Sequence, residues 1–218
     1  MKYELLSVRQ IREIYTERIK KDFAPDEVKP LSWILNGLSA GHYACYGAVE
    51  EDRIAAYAFF VIDGRNAMVD YLAVCENLRG RGTGSLLIRM MTDDLQQKYD
   101  CVLLESEDPD YATDEEDRNV RERRIRFYLH NRLVPTGIRS EVWHVHYRIL
   151  ALPVGHMLPD EEIGRIYSGI YRVMMPEKFY KTMFSYRIIA MPAPAAMRNE
   201  NTPGRRMSAT KFGKMITD

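Results

Sequence analysis

Nothing in this sequence approaches the roughly 20 consecutive apolar residues that a helical membrane span needs, so no membrane partner is expected. Cysteine is scarce, with only Cys45, Cys75 and Cys101 present. An odd number at wide spacing makes no disulfide framework, and no CxxC is present. The three read as reduced thiols serving as small apolar side chains. An excess of charge is also lacking, since 31 Lys and Arg balance 31 Asp and Glu. A dedicated nucleic-acid binder would be basic, so no nucleic-acid partner is expected either. The start, Met1-Lys2-Tyr3-Glu4, has no signal-peptide pattern, because charges precede any apolar stretch. Together these absences point to the cytoplasm.

What is present suits a globular domain with an appendage: 218 residues, 46% of them apolar and 28% charged. Charge is divided unevenly. Residues 151–218 carry 10 Lys and Arg against 6 Asp and Glu, and residues 1–150 carry 21 against 25. Tyr3 to Leu6 predicts a short strand. Ser7 and Gln10 have capping-box spacing, and Val8, Ile11, Ile14, Tyr15 and Ile19 recur at helical spacing up to Phe23-Ala24-Pro25. A second helix is marked by Val28, Leu31, Ile34, Leu35 and Leu38, ending near Gly41. Three strands joined by short turns follow, His42–Val49, Ile54–Ile62 and Ala67–Val74, an antiparallel meander. A polar, glycine-rich stretch leads into helical spacing at Leu86, Leu87, Met90, Met91 and Leu95, and then a strand from Asp100 to Glu105. Such a crossover makes the two flanking strands parallel.

Thr113 and Glu116 read as a second capping box, opening a helix to about Asn131. Leu133–Ile138 and Val142–Leu150 read as closing strands, with Trp143, Val145, Tyr147 and Ile149 on one face and His144, His146 and Arg148 on the other. In residues 151–190, Ile163, Ile166, Tyr167, Ile170, Tyr171, Val173 and Met174 predict a helix, and Phe179, Tyr180, Met183 and Phe184 a shorter one. That pair is too apolar to hang in solvent and needs the main domain or a partner chain, which leaves a homodimer open. Residues 191–218 hold three of the ten prolines and one aromatic, a polar tail with little to bury.

The sharpest motif is Asp70-Tyr71-Leu72-Ala73-Val74 followed by Arg79-Gly80-Arg81-Gly82-Thr83-Gly84-Ser85. A strand runs into a glycine-rich turn that opens a helix. Amides at such a start are not used within the helix and converge on an anion. Arg79 and Arg81 add charge suited to phosphate oxygens. No Gly-Lys-Ser/Thr ends the turn, which disfavours a Walker loop, and its place after three antiparallel strands disfavours a dinucleotide fold. Taken alone, the motif could also be a turn that merely starts a helix.

Arg79-Gly80-Arg81-Gly82-Thr83-Gly84, with this element order, resembles the acyl-CoA signature of the GNAT superfamily of N-acyltransferases. Phe127-Tyr128 resembles the family's late Phe-Tyr pair, and Asp22 to Glu27 is similar to its linker beside the acceptor pocket. The resemblance covers about residues 1–150. It implies an α+β fold with a central mixed sheet whose strands splay apart around acyl-CoA, flanked by helices. It implies that the backbone of Leu72, Ala73 and Val74 pairs with the pantetheine arm, that Arg79, Gly80, Arg81, Gly82, Thr83, Gly84 and Ser85 hold the pyrophosphate, and that Tyr128 sits near the sulfur. Arg121 stands where the family often has Asn, and Arg132 where it has Gly after the Phe-Tyr pair.

Several residues carry two readings. Tyr128 is a core tyrosine by helical spacing, or the acid that assists the departing thiolate. Glu105 and Glu107, two apart on a strand beside the expected splay, are base candidates, directly or through a water, or an exposed pair opening an acidic loop. The acidic run from Glu105 to Asp117 either attracts a cationic amine or is a solvated loop. The arginines at 118, 121, 123, 124 and 126 either meet phosphate or pair with nearby acids. His144 and His146 lack a third ligand, so no metal is expected.

The sequence therefore predicts a GNAT-like domain over 1–150, a C-terminal helical extension over 151–190 and a tail over 191–218. The expected function is transfer of an acetyl group from acetyl-CoA, as cosubstrate, to a primary amine by direct attack in a ternary complex. The acceptor is a small molecule, or else a peptide or protein amine. The alternative is an inactive acyl-CoA-binding sensor or scaffold.

Overall fold

A computed structural model describes residues 1–189 except 26 and 52. The tail expected over 191–218 lies outside the described residues. Ser7 opens the first helix as its spacing requires: Gln10 N–H donates to Ser7 Oγ and Ser7 N–H to Gln10 Oε1, at 3.4 and 2.9 Å. This helix, α1, runs over Val8–Ile14, continues through a π turn at Tyr15–Ile19 and ends in Lys20–Asp22, with Phe23 extended ahead of Pro25. The second helix, α2 (Leu31–Ala40), stops at Gly41, whose φ of 76° lies in the left-handed region.

One eight-stranded sheet organises the rest. In chain order the strands are β1 (Lys2–Leu5), β2 (Tyr43–Glu50), β3 (Arg53–Asp63), β4 (Asn66–Val74), β5 (Cys101–Glu107), β6 (Val134–Val142), β7 (Val145–Ala151) and β8 (Phe184–Ile188). Their order across the sheet is β1-β2-β3-β4-β5-β7-β6-β8. Neighbours are antiparallel except β4 and β5, which are parallel because α3 (Thr83–Leu95) carries the chain between them. Helix α4 (Glu115–His130) follows β5. Odd and even positions of the central strands face opposite cores. On one side Tyr57, Phe59, Met68 and Leu103 pack with Ile11, Ile34 and Ile163. On the other Ala58, Phe60, Val69 and Leu104 pack with Leu87, Ile88, Met91 and Tyr128. Helices thus cover both faces.

Three local expectations are corrected. The cap expected at Thr113 shifts by one residue: Asp117 N–H donates to Asp114 Oδ1 at 2.8 Å, and Thr113 N–H to Asp117 Oδ2 at 3.0 Å. A carboxylate makes the stronger cap at the positive end of a helix. Trp143 and His144 belong to no strand. They form the turn between β6 and β7, both with positive φ, 50° and 68°, the geometry a two-residue hairpin demands. The strand face that was to hold His144 and His146 together is therefore lost. His144 is exposed, and the His146 ring stacks 3.6 Å from that of Tyr111.

The third correction concerns residues 151–190, expected as a helical extension. Two helices are there, α5 (Asp160–Met174) and α6 (Glu177–Met183), but Phe184 begins β8 rather than ending a helix. Alternation of exposed Ser185 and Arg187 with half-buried Phe184 and Tyr186 fits a strand over so short a run. β8 pairs with β6, and Ile163, Tyr167, Ile170 and Tyr171 of α5 enter the core shared with α1 and α2. The apolar stretch thus packs on its own chain.

Close backbone approach fastens this last strand. Ile189 N–H donates to Gly137 O at 2.8 Å, and Gly137 N–H to Asp160 Oδ1 at 2.9 Å. A Cβ on Gly137 would stand 2.6 Å from Ile189 O. Gly137→Ala is expected to lower stability by about 1–3 kcal/mol through overpacking, read as a lower urea midpoint. A midpoint equal to that of the parent protein would contradict this packing.

Candidate active site

The two parallel strands separate half-way. β4 and β5 pair from Asn66 opposite Cys101 to Val69 opposite Leu104, and no further. At that place Tyr71 opposes Phe59 and Val69 opposes Phe60, so Asp70 is an extra residue on β4. Such a bulge bends and twists its strand, turning Tyr71–Val74 away from β5, while β5 stays with β7 up to Glu107. Asp70 is held by Lys29 Nζ and the Tyr43 hydroxyl, both donating to its carboxylate.

The separation leaves backbone groups without a strand partner. Cys75 N–H donates to Ala55 O on β3 at 2.8 Å. Strand groups alternate in direction, so Ala73 also faces β3, and Leu72 and Val74 turn their N–H groups toward the gap. Of the three residues expected along the pantetheine arm, two therefore offer amides and Ala73 offers only its side chain.

Beyond Val74 the glycine turn leads to α3. Gly80 and Gly82 have φ of 72° and 81°, left-handed values that favour glycine, and no side chain caps the helix. The first amides of α3 are therefore open to an anion. A Cβ on Gly84 would come 3.0 Å from Phe127 Cζ, so glycine here lets α3 approach α4 closely. The two arginines of the turn differ. Arg79 donates to Val74 O at 3.1 Å and to Asp22 at 2.7 Å, while Tyr57 and Arg18 hold the other oxygen of Asp22. Arg79 thus fastens the turn to the end of α1. Arg81 is exposed and has no ion-pair partner among the described residues. Thr83 is buried and Ser85 half-buried on the first turn of α3.

A cavity of about 780 Å³ fills the gap and passes through the sheet. Leu72, Val74, Gly84, Leu104, Phe127 and Tyr128 line it toward α3 and α4. Toward α2 and α5 its walls include Trp33, Tyr71, Glu105, Tyr171 and Met174. Tyr128 is only 7% exposed, and burial raises its phenol pKa against the opposing effect of Arg124. Its hydroxyl has no hydrogen-bond partner among the described residues.

The two glutamates part company. Glu105 accepts hydrogen bonds from the Tyr167 and Tyr171 hydroxyls, the latter at 2.7 Å. Burial raises its pKa, and the two tyrosines and the charge of Lys29 only partly offset that rise. Glu107 instead pairs with Arg124 at 2.7 Å and Arg121 at 3.3 Å, both on α4. The two guanidiniums occupy its two oxygens, which ties the end of β5 to α4. Arg121 also binds Asp117 and Asp108 O, so it braces the start of α4. The thiols have other partners or are suppressed. Cys75 donates to Ile54 O, and burial pushes the Cys101 thiol up to about 11. Among the described residues no group of three or more His, Cys, Asp or Glu is placed to hold a metal.

Residues 8–115 match the sequence model of the acetyltransferase (GNAT) family. That segment is a GNAT-family domain. No curated protein matches it. Among solved structures, one described as a GNAT-family acetyltransferase of Bacteroides thetaiotaomicron is 16% identical, with a TM-score of 0.60, over 80% of this chain and 98% of that one. The aminoglycoside 6'-N-acetyltransferase of Enterococcus faecium is 12% identical, with a TM-score of 0.54, over 72% and 99%. Spermidine N-acetyltransferase of Vibrio cholerae, in complex with CoA and spermine, is 9% identical, with a TM-score of 0.51, over 69% and 93%. At these identities the likeness is one of fold.

Sequence reasoning missed the tyrosines that hold Glu105, the Lys29–Asp70 pair and the aromatic wall. Tyr167 and Tyr171 were visible as one apolar face at helical spacing, but nothing in the spacing told which strand they would meet. A half-buried acid facing the cavity has a thermodynamic signature. With its pKa raised in the folded state, Glu105 binds its proton more tightly folded than unfolded. Stability is lost as pH rises from the unfolded pKa through the folded one and stays lower above it. Glu105→Gln, whose amide oxygen can accept from both tyrosines, is expected to raise the denaturation midpoint at pH 7 and to lose that advantage near pH 4. A variant less stable than the parent at pH 7 would contradict this account.

Proposed function

We propose that this chain is an N-acetyltransferase moving an acetyl group from acetyl-CoA to a primary amine, preferably of a small molecule, by direct attack in a ternary complex. The observation that carries the reading is the cavity through the sheet, which joins the open amides of Leu72 and Val74 to the carboxylate of Glu105. The donor side fits the cosubstrate chemically. The first amides of α3, the left-handed glycines at 80 and 82 and the exposed Arg81 suit a pyrophosphate, and the free edge of β4 suits an amide-bearing arm.

Acetyl-CoA supplies an activated acyl group as a thioester. The chain supplies position, polarisation and proton transfer. An alkyl ammonium of pKa roughly 10.4 is not a nucleophile until it loses a proton. Glu105, facing the cavity with two tyrosine donors on one oxygen, is our base, directly or through a water. Leu72 or Val74 N–H stabilises charge growing on the carbonyl oxygen. Tyr128, protonated because its pKa is raised, donates to the departing sulfur. Anchoring at the helix start holds the remote end of the donor, which contributes orientation. Three reduced, buried cysteines suit a reducing, cytoplasmic setting.

Calorimetric titration with acetyl-CoA tests the donor side, and thiol release with an amine panel tests transfer. Glu105→Gln is expected to lower kcat/KM by about 10²–10⁴-fold with acetyl-CoA affinity nearly unchanged. The acid limb of the parent pH profile should lie above the ordinary carboxylate range and vanish in that variant. Tyr128→Phe should cut kcat by about 10²-fold with little effect on donor binding. No acetyl-CoA binding at millimolar concentration overturns the reading. Binding without transfer to any amine favours the alternative of an acyl-CoA sensor.

A further inference from the structure

The acceptor side of the cavity has a chemical character of its own. Five acids line the whole cavity, and most are committed. Asp22 is neutralised by Arg18 and Arg79, Asp70 by Lys29, and Glu107 by Arg121 and Arg124. Glu27 accepts Ala24 N–H within its own loop, 3.1 Å away. Glu105 is held by neutral hydroxyls and, among the described residues, by no ion pair. Lys29 and Asp70 act on Glu105 as an ion pair, and elsewhere the wall around it is apolar and aromatic. Trp33 comes from α2, Tyr171 and Met174 from α5, Phe179 from α6, and Trp143 from the β6–β7 turn, with the last two rings 5.2 Å apart. A ligand bearing several ammonium groups would have to break existing ion pairs or desolvate charges against these rings, where cation–π attraction offsets only part of the cost. A ligand with one ammonium and an apolar body would meet one carboxylate and bury its remaining surface.

We propose that the acceptor is a monoamine whose single amino group is carried on a bulky apolar body, aromatic or long-chain aliphatic, lying among Trp33, Trp143, Tyr171, Met174 and Phe179. This rests on the acetyltransferase reading and narrows it to one substrate class. The amino group points to Glu105, which accepts its proton. The nitrogen forms a bond to the acetyl carbon as the carbon–sulfur bond breaks, and the sulfur leaves as the thiol. The amine specificity set by the wall is hydrophobic in origin, so it depends weakly on salt, whereas recognition of a polycation would weaken steeply as salt rises.

The test uses the full chain. Acetyl-CoA binding is first measured by calorimetry. Initial rates of thiol release are then compared for 2-phenylethylamine, hexylamine, ethylamine, spermidine and kanamycin at two salt concentrations. We expect kcat/KM for phenylethylamine and hexylamine to exceed that for ethylamine by at least about tenfold, from burial of the added carbons. They should also exceed spermidine and kanamycin. Trp33→Ala should raise KM for phenylethylamine by about tenfold and leave KM for acetyl-CoA unchanged. Trp143→Ala, in an exposed turn, gives a second test of the same wall should the first variant fail to fold. Failure to bind acetyl-CoA would remove the enzyme reading and this inference with it. Binding with spermidine or kanamycin preferred, with ethylamine equal to phenylethylamine, or with no amine used would overturn the inference alone.

Discussion

The site depends on one departure from regular pairing. Parallel strands have every reason to stay together, since each unmet backbone group costs free energy when buried. Here one extra residue, Asp70, ends the pairing after Val69 and Leu104. The bulge is not left to itself. Lys29 and Tyr43 hold the Asp70 carboxylate, and Tyr71 beside it accepts Lys29 N–H at 2.8 Å and donates to Glu27 O at 3.0 Å. The same loop therefore stabilises the kink and borders the opening that the kink creates.

Division of labour across the sheet follows from alternation along β5. Leu104 faces Tyr128 and the helices that begin with the glycine turn, while Glu105, one residue later, faces α5. Two adjacent residues thus belong to opposite chemical environments, one dry and neutral, the other able to hold a charge. Desolvation raises the pKa of that half-buried carboxylate, and the tyrosine hydroxyls only partly offset the rise.

Much of this fold was legible because its signals are local. The Ser7–Gln10 cap, the stop at Gly41, the meander with its short turns and the glycine turn are each set by a few neighbouring residues. What failed were choices made by tertiary context. Phe184 fits helical spacing after Met183, yet a free edge on β6 recruits it into a strand. Trp143 fits alternation, yet the hairpin needs two residues with positive φ where it and His144 stand. Arg79 reads as a phosphate ligand from its place in the turn; its tie to Asp22 was not legible there, because it depends on a contact 57 positions away in sequence. Glu105 and Glu107 could be placed at a strand end, but not told apart until their partners on α5 and α4 were known.

The pairing of Glu105 with α5 also has a consequence for biosynthesis. The glycine turn, the free edge of β4 and Tyr128 all precede residue 130, whereas Tyr167, Tyr171 and the strand that docks behind them come last. A chain emerging from the ribosome therefore presents the glycine turn and β4 before the helix that meets Glu105. Until α5 has docked, Glu105 lacks the two tyrosine hydroxyls that donate to it.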